Sequence, residues 1–309
     1  MAEPKSVGRL LGYERTNYDE KITTFIKRVK EQIDVVRIGI RDGSVNDPKV
    51  SEKYAKKAER FLSTPFFTDA KNLQKRVKDL KRYLKIVVGE EKELITIIEE
   101  WLTNKRSNKV LLANTYSSKK DSSFSYQLEI ERFYDRDIEY LYGILPRYKS
   151  ELILLNKLKG VLTNEEFLKS IGVKNSWKVG TLKSALSEWA LDFPLGVEFE
   201  LNELFTLPFF KGKKYIEMDV RDFKLIIDVR TSILENIVAW IDSEIKDSTL
   251  EKENSKKNSQ GKTIYDLYRE YDNFITKFNT CKNVYKEMYS LNRFGQGLIE
   301  SDLFDTLYK

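Results

Sequence analysis

The segment Thr64–Leu84, TPFFTDAKNLQKRVKDLKRYL, returns in altered form at Leu207–Ile227 as LPFFKGKKYIEMDVRDFKLII. Pro65, Phe66 and Phe67 fall on Pro208, Phe209 and Phe210. At the same offset of about 143 residues, Lys71 meets Lys214, Leu73 meets Ile216 and Val77 meets Val220. VKDLK from Val77 meets VRDFK from Val220. Upstream, TFIK from Thr24 falls on EFLK from Glu166 at nearly that offset. Charged amphipathic helices resemble one another through composition, but Pro-Phe-Phe punctuation at a near-constant offset is harder to obtain that way. The repeat predicts an all-α protein of two tandem, related helical-bundle units, residues 1–160 and 161–309, each with one long polar loop. The double Phe is expected in the core, with Pro steering the next helix.

Apolar spacing agrees. Tyr18, Ile22, Ile26, Val29, Ile33 and Val36 recur at helical intervals, and so do Leu73, Val77, Leu80, Leu84 and Val87. Val220, Phe223, Ile227, Leu234, Ile237 and Ile241 approach a heptad, with Arg230 and Thr231 at its centre. Arg230 in that stripe is expected to pair with a buried carboxylate or to extend its head to water. Pro146 is expected to break or kink its helix. Thr163 and Glu166 stand at capping-box spacing. TNKRSNKVLLANTYSSKKDSS from Thr103 and EKENSKKNSQGK from Glu251 read as polar loops.

The 309 residues include 6 Pro, 14 Gly, 1 Cys and no His. One Cys forms no internal disulfide, and nothing in the sequence ties the fold to an oxidising compartment. With no His there is no Ser-His-Asp triad, no Cys-His pair and no His-ligated zinc. The apolar runs are far shorter than the roughly 20 residues of a membrane span, and the N-terminus lacks a signal-peptide pattern. A soluble cytoplasmic protein without a membrane partner is the expectation. The Lys-, Glu- and Ile-rich composition leans toward a thermophile, such as an archaeon or its virus or plasmid.

The net charge of +6 is unevenly spread. Residues 1–160 carry a balance of about +9 and the remainder about −3. From Lys49 to Lys85 there are about 12 basic and 4 acidic groups. Lys53, Lys56, Lys57 and Arg60 lie at helical spacing, and so do Lys71, Lys75, Lys78 and Arg82. Such rows follow a phosphate backbone. Lys105, Arg106, Lys119 and Lys120 join them from the first polar loop, where Tyr116, Phe124 and Tyr126 are candidates to stack on exposed bases.

Asn164–Leu191 has helix-turn-helix length with a Gly at the break, but lacks the small residue inside its first helix. Asp135 and Asp137, and Asp219 and Asp222, are the carboxylate pairs a metal-dependent nuclease would need. Residues two apart on a helix do not face each other, and Asp219 and Asp222 have basic neighbours. No Walker loop or dinucleotide fingerprint occurs, so no cofactor and no metal are expected. Cys281, near Phe274, Phe278 and Tyr285, reads as a packing residue. The expectation is a non-enzymatic nucleic-acid-associated protein. The alternative is a structural or assembly protein, a virion or scaffold component, that self-associates or binds partner proteins through Tyr-rich helical faces.

Overall fold

A computed structural model describes residues 17–118, 123–192, 215–260, 262 and 264–300. The chain is all-α. The long elements are α1 (Ile22–Asp42), α2 (Pro48–Leu62), α3 (Val77–Ser118), α4 (Ser123–Thr163), α5 (Glu165–Ser170), α6 (Val179–Asp192), α7 (Val220–Lys257) and α8 (Ile264–Glu300). Two single helical turns, Pro65–Thr68 and Ala70–Leu73, join α2 to α3.

Local chemistry sets the helix ends. Asp47 accepts from the Lys49 and Val50 N–H groups, and Pro48 opens α2 without wasting a donor. Gly43 takes φ +76° to close α1, a conformation that suits glycine. At α5 the cap is Asn164, which accepts from Phe167 N–H. Thr163, expected in that role, instead turns its hydroxyl back to the Lys159 carbonyl and ends α4.

Two expected loops are largely helical. α3 runs to Ser118 and α7 to Lys257. Their polar residues have partners inside: Asn108 donates to Asp137 and Ser255 donates to Glu270. Pro146 likewise sits within one helix, α4, because the buried series Leu141, Leu145 and Tyr148 carries across it.

The chain divides into two compact units, residues 1–92 with 284–309 and residues 93–283, and α3 and α8 contribute to both. These units differ from the division at residue 160 read from the repeat, a position inside α4. In the first unit, Phe25, Phe61, Phe67, Leu80, Phe294 and Leu298 share one core. Phe66 and Phe67 are buried as expected, with ring centroids 5.3 Å apart and Phe67 edge-on to Phe61 at 5.0 Å. Pro208, Phe209 and Phe210 lie outside the described residues. In the second unit α7 packs along α4, and Trp101, Trp240 and Phe278 pack together near the middle of their helices.

The same joint occurs in both units. In the first, Ile22 N–H donates to the Lys75 carbonyl (3.0 Å), Val77 N–H to Glu20 (2.9 Å) and Lys78 N–H to Tyr18 (2.8 Å). In the second, Val179 N–H donates to Met218 (2.9 Å), Val220 N–H to Trp177 (2.8 Å) and Arg221 N–H to Asn175 (3.1 Å). Buried positions then follow in register along the two helices that leave the joints. Val77, Leu80, Leu84, Leu94, Ile98 and Leu102 of α3 match Val220, Phe223, Ile227, Ile237, Ile241 and Ile245 of α7. This recurrence fits a duplicated unit and changes one detail of the expected alignment. The partner of α1 is α6, at an offset of about 157, so TFIK does not correspond to EFLK in α5.

Candidate nucleic-acid interface

On α2, Lys53, Lys56 and Arg60 are exposed and Lys57 is half-buried. Helical spacing gathers Lys53, Lys57 and Arg60 on one side. The Lys57 ammonium donates to Ser290 (2.9 Å) and stands 5.3 Å from the Phe294 ring centroid. Arg60 pairs with Glu287 at 2.9 Å. Burial lowers the Lys57 pKa from the usual lysine value, and the charges of Lys53 and Arg60 lower it further. The side of α2 facing the end of α8 therefore gathers three cations, of which Arg60 is paired with Glu287. Lys56 is turned to Glu52 at 3.3 Å.

Lys71, Lys75 and Lys78 are exposed around the first joint, and Arg82 is half-buried beside Asp79. Lys75 donates to the Asn72 side chain (2.7 Å), and Lys78 pairs with Asp19 (2.7 Å). The Lys78 hydrogen bond holds the Asp19 carboxyl below its ordinary pKa. Both contacts are made in solvent, so an incoming phosphate displaces them at small cost.

The joint adds residues absent from the sequence-level rows. Tyr18, counted there in the first stripe, precedes α1 and is 39% exposed. The Lys81 ammonium lies 4.5 Å from its ring centroid and 3.1 Å from its hydroxyl. The Arg76 guanidinium donates to the Asp19 carbonyl. Sequence spacing put Tyr18 one turn before Ile22, and only the folded joint turns it outward.

Lys105 is corrected. It is 1% exposed in the second unit, where it pairs with Asp137 at 2.8 Å and faces Glu244 at 3.9 Å. Its ammonium also lies 4.7 Å from the Trp101 ring centroid. Asp137 accepts from Asn108 and Tyr271 as well, and burial followed by that carboxylate pushes the Tyr271 phenol far up. A group enclosed in this way cannot reach a phosphate. Arg106 is exposed in the second unit, and Lys119 and Lys120 lie outside the described residues. Tyr126 is fully buried, which removes it as a stacking platform. The side chains of Tyr116 and Phe124 lie outside the description.

The other candidates resolve into structural roles. Arg230 pairs with Glu151 (2.8 Å) and Glu93 (2.7 Å), as its place in an apolar stripe required. Asp135 pairs with Lys252, Asp219 with Lys178 and Asp222 with Arg221. Among the described residues no three His, Cys, Asp or Glu side chains gather to hold a metal. Burial raises the Cys281 thiol pKa, the opposite of an activated nucleophile. Val179, Leu182 and Leu186 of α6, the supposed recognition helix, are buried. A recess of about 370 Å³ in the second unit is lined by Tyr134, Glu251, Lys262 and Glu270, among others. Glu270 there is occupied by Ser255 (3.0 Å) and Lys262 (2.8 Å).

No known protein family matches the chain, and neither does any curated protein or solved structure. Among the described residues, no helix is long and apolar enough to cross a membrane.

Proposed function

We propose that this protein binds nucleic acid without catalysing its reaction, holding the phosphate backbone on the basic face of the first unit. The observation that carries this reading is the convergence of Lys53, Lys57 and Arg60 on one side of α2, where Lys57 is held beside like charges. A bound phosphate relieves that repulsion and releases counterions. Lys71, Lys75 and Lys78 extend the basic face around the first joint.

Fluorescence anisotropy with labelled single- and double-stranded oligonucleotides, titrated across salt, tests the proposal. Four phosphate contacts on a single strand give a slope near −3 in log K against log salt, about a 50-fold loss between 50 and 200 mM. Lys53→Glu with Lys57→Glu should abolish binding at moderate salt. Binding with no salt dependence, or untouched by these reversals, refutes it.

A second reading, assembly, draws on α4, where Tyr142 and Ile153 are each 57% exposed. At this spacing they lie on one side of the helix. Light scattering across salt distinguishes the two: an oligomer indifferent to salt and broken by Tyr142→Asp supports assembly.

A further inference from the structure

The geometry points to single-stranded nucleic acid as the ligand class, with Tyr18 as the base-stacking residue and Lys75, Arg76 and Lys85 as its flanking cations. This rests on the reading of the basic face given above and names what that face selects.

The two joints serve as controls for each other. Their backbone hydrogen bonds correspond one for one, so each residue of the first has a defined counterpart in the second. Asn175 stands where the first joint has Tyr18. Met218, Asp219 and Asp228 stand where it has Lys75, Arg76 and Lys85. The joint therefore forms without an aromatic ring at this position; Trp177 stands instead at the place of Glu20, and Arg221 and Lys224 keep the charge of Lys78 and Lys81. A lone exposed tyrosine needs no explanation. An exposed tyrosine that its counterpart shows to be dispensable, where the joint and the helix leaving it add three cations whose counterparts are neutral or acidic, does.

The chemistry matches an unpaired base. The Tyr18 ring is exposed, and Lys81 supplies a cation beside it. Stacking on an aromatic ring is tolerant of sequence, and the surrounding cations take the phosphates on either side. In a duplex the bases are stacked on each other and offer no free face, so Tyr18 adds nothing there. The α2 cations and the joint also lie at separate points along the end of α8. Lys57 contacts Ser290, and Lys81 pairs with Glu300 at 3.3 Å. Ten helical residues separate these contacts by ~15 Å. An extended strand bridges that distance with a few nucleotides.

The test compares binding of a fluorescent 12-nucleotide oligo-dT and a 12-base-pair duplex to the full chain and its variants. Tyr18→Asn installs the residue that the second joint carries. It should weaken oligo-dT binding about 5- to 150-fold, the range expected for one lost stack, and leave duplex binding unchanged. Tyr18→Phe should retain oligo-dT binding, because the ring and not the hydroxyl stacks. Circular dichroism and thermal melting report whether each variant folds. Photocrosslinking of an iodouracil-containing strand to the wild-type chain supplies evidence independent of any variant, and the crosslinked peptide should contain Tyr18.

If Tyr18→Asn binds oligo-dT like wild type, or the crosslink maps elsewhere, the inference is overturned. In that event, loss of binding in Lys53→Glu with Lys57→Glu leaves the broader reading standing. Absence of wild-type binding to either oligonucleotide at low salt overturns both.

Discussion

Glu91 gives the first unit a pH-dependent stability that can be worked out from its surroundings. The residue is 5% exposed, and one carboxylate oxygen accepts from the Asn292 amide at 2.8 Å. The other carboxylate oxygen is buried with no hydrogen-bond donor among the described residues. Desolvation raises the pKa from 4.5 to about 7, and the Asn292 bond offsets only part of that rise. The helix register shows how unusual this position is, since α7 carries buried Leu234 at the counterpart.

The sign follows from the raised value. Between the unfolded and folded pKa values the folded chain holds the proton that the unfolded chain has lost. Stability is then fully present below about pH 4.5 and declines as pH rises through about 7. At 1.36 kcal/mol per pKa unit, the cost of the charged form above pH 7 reaches roughly 3 kcal/mol. With no His in the chain, no ordinary side chain titrates near neutrality to mask the effect.

Glu91→Gln keeps the shape and an acceptor for Asn292 while removing the charge. At pH 8 it should stabilise the first unit by up to ~3 kcal/mol, and at pH 4.5 it should have almost no effect. Urea denaturation followed by circular dichroism, together with hydrogen exchange of the α1 amides, reads the difference. Identical pH dependence for the variant and wild type between pH 4.5 and 8 refutes the argument.

Arg230→Ala leaves Glu151 buried without its cation and should destabilise the second unit by about 3–5 kcal/mol, measured as a shift in urea midpoint. Phe67→Ala removes a ring that touches both Phe61 and Phe66. It should cost about 3–5 kcal/mol, seen as accelerated hydrogen exchange in α1 and α2. Asp47→Ala deletes the cap of α2 and should cost about 1 kcal/mol, whereas Asp47→Ser should restore most of it in the same thermal melts. Lys105→Ala should be strongly destabilising at every salt concentration, since the Asp137 carboxylate would remain enclosed without its cation. Indifference of stability to that change would return Lys105 to the surface.

Helical class, the burial of Phe66 and Phe67, and the paired fate of Arg230 were legible in the sequence. Each rests on spacing or on a local cost: a 3.6-residue period, a Pro-Phe-Phe stop, a cation in an apolar stripe. The basic row on α2 was legible for the same reason, because helix geometry alone puts Lys53, Lys57 and Arg60 on one side. Lys105 was not, since a lysine in a polar run looks exposed until Asp137, Glu244 and the Tyr271 ring arrive from distant positions to enclose it. The helical run through Thr103–Ser118 escaped for the same reason, its polar residues being satisfied by partners far along the chain. Tyr18 shows the converse, because its period placed it on the buried stripe and the backbone bond from Lys78 put it outside the helix. Sequence by itself determined the helical class and where one surface is basic, since both depend on neighbours within a few turns. Tertiary structure decided which charges are enclosed, which aromatic is exposed, and that α6 rather than α5 is the counterpart of α1, since those depend on hydrogen bonds and packing between segments that no local spacing encodes.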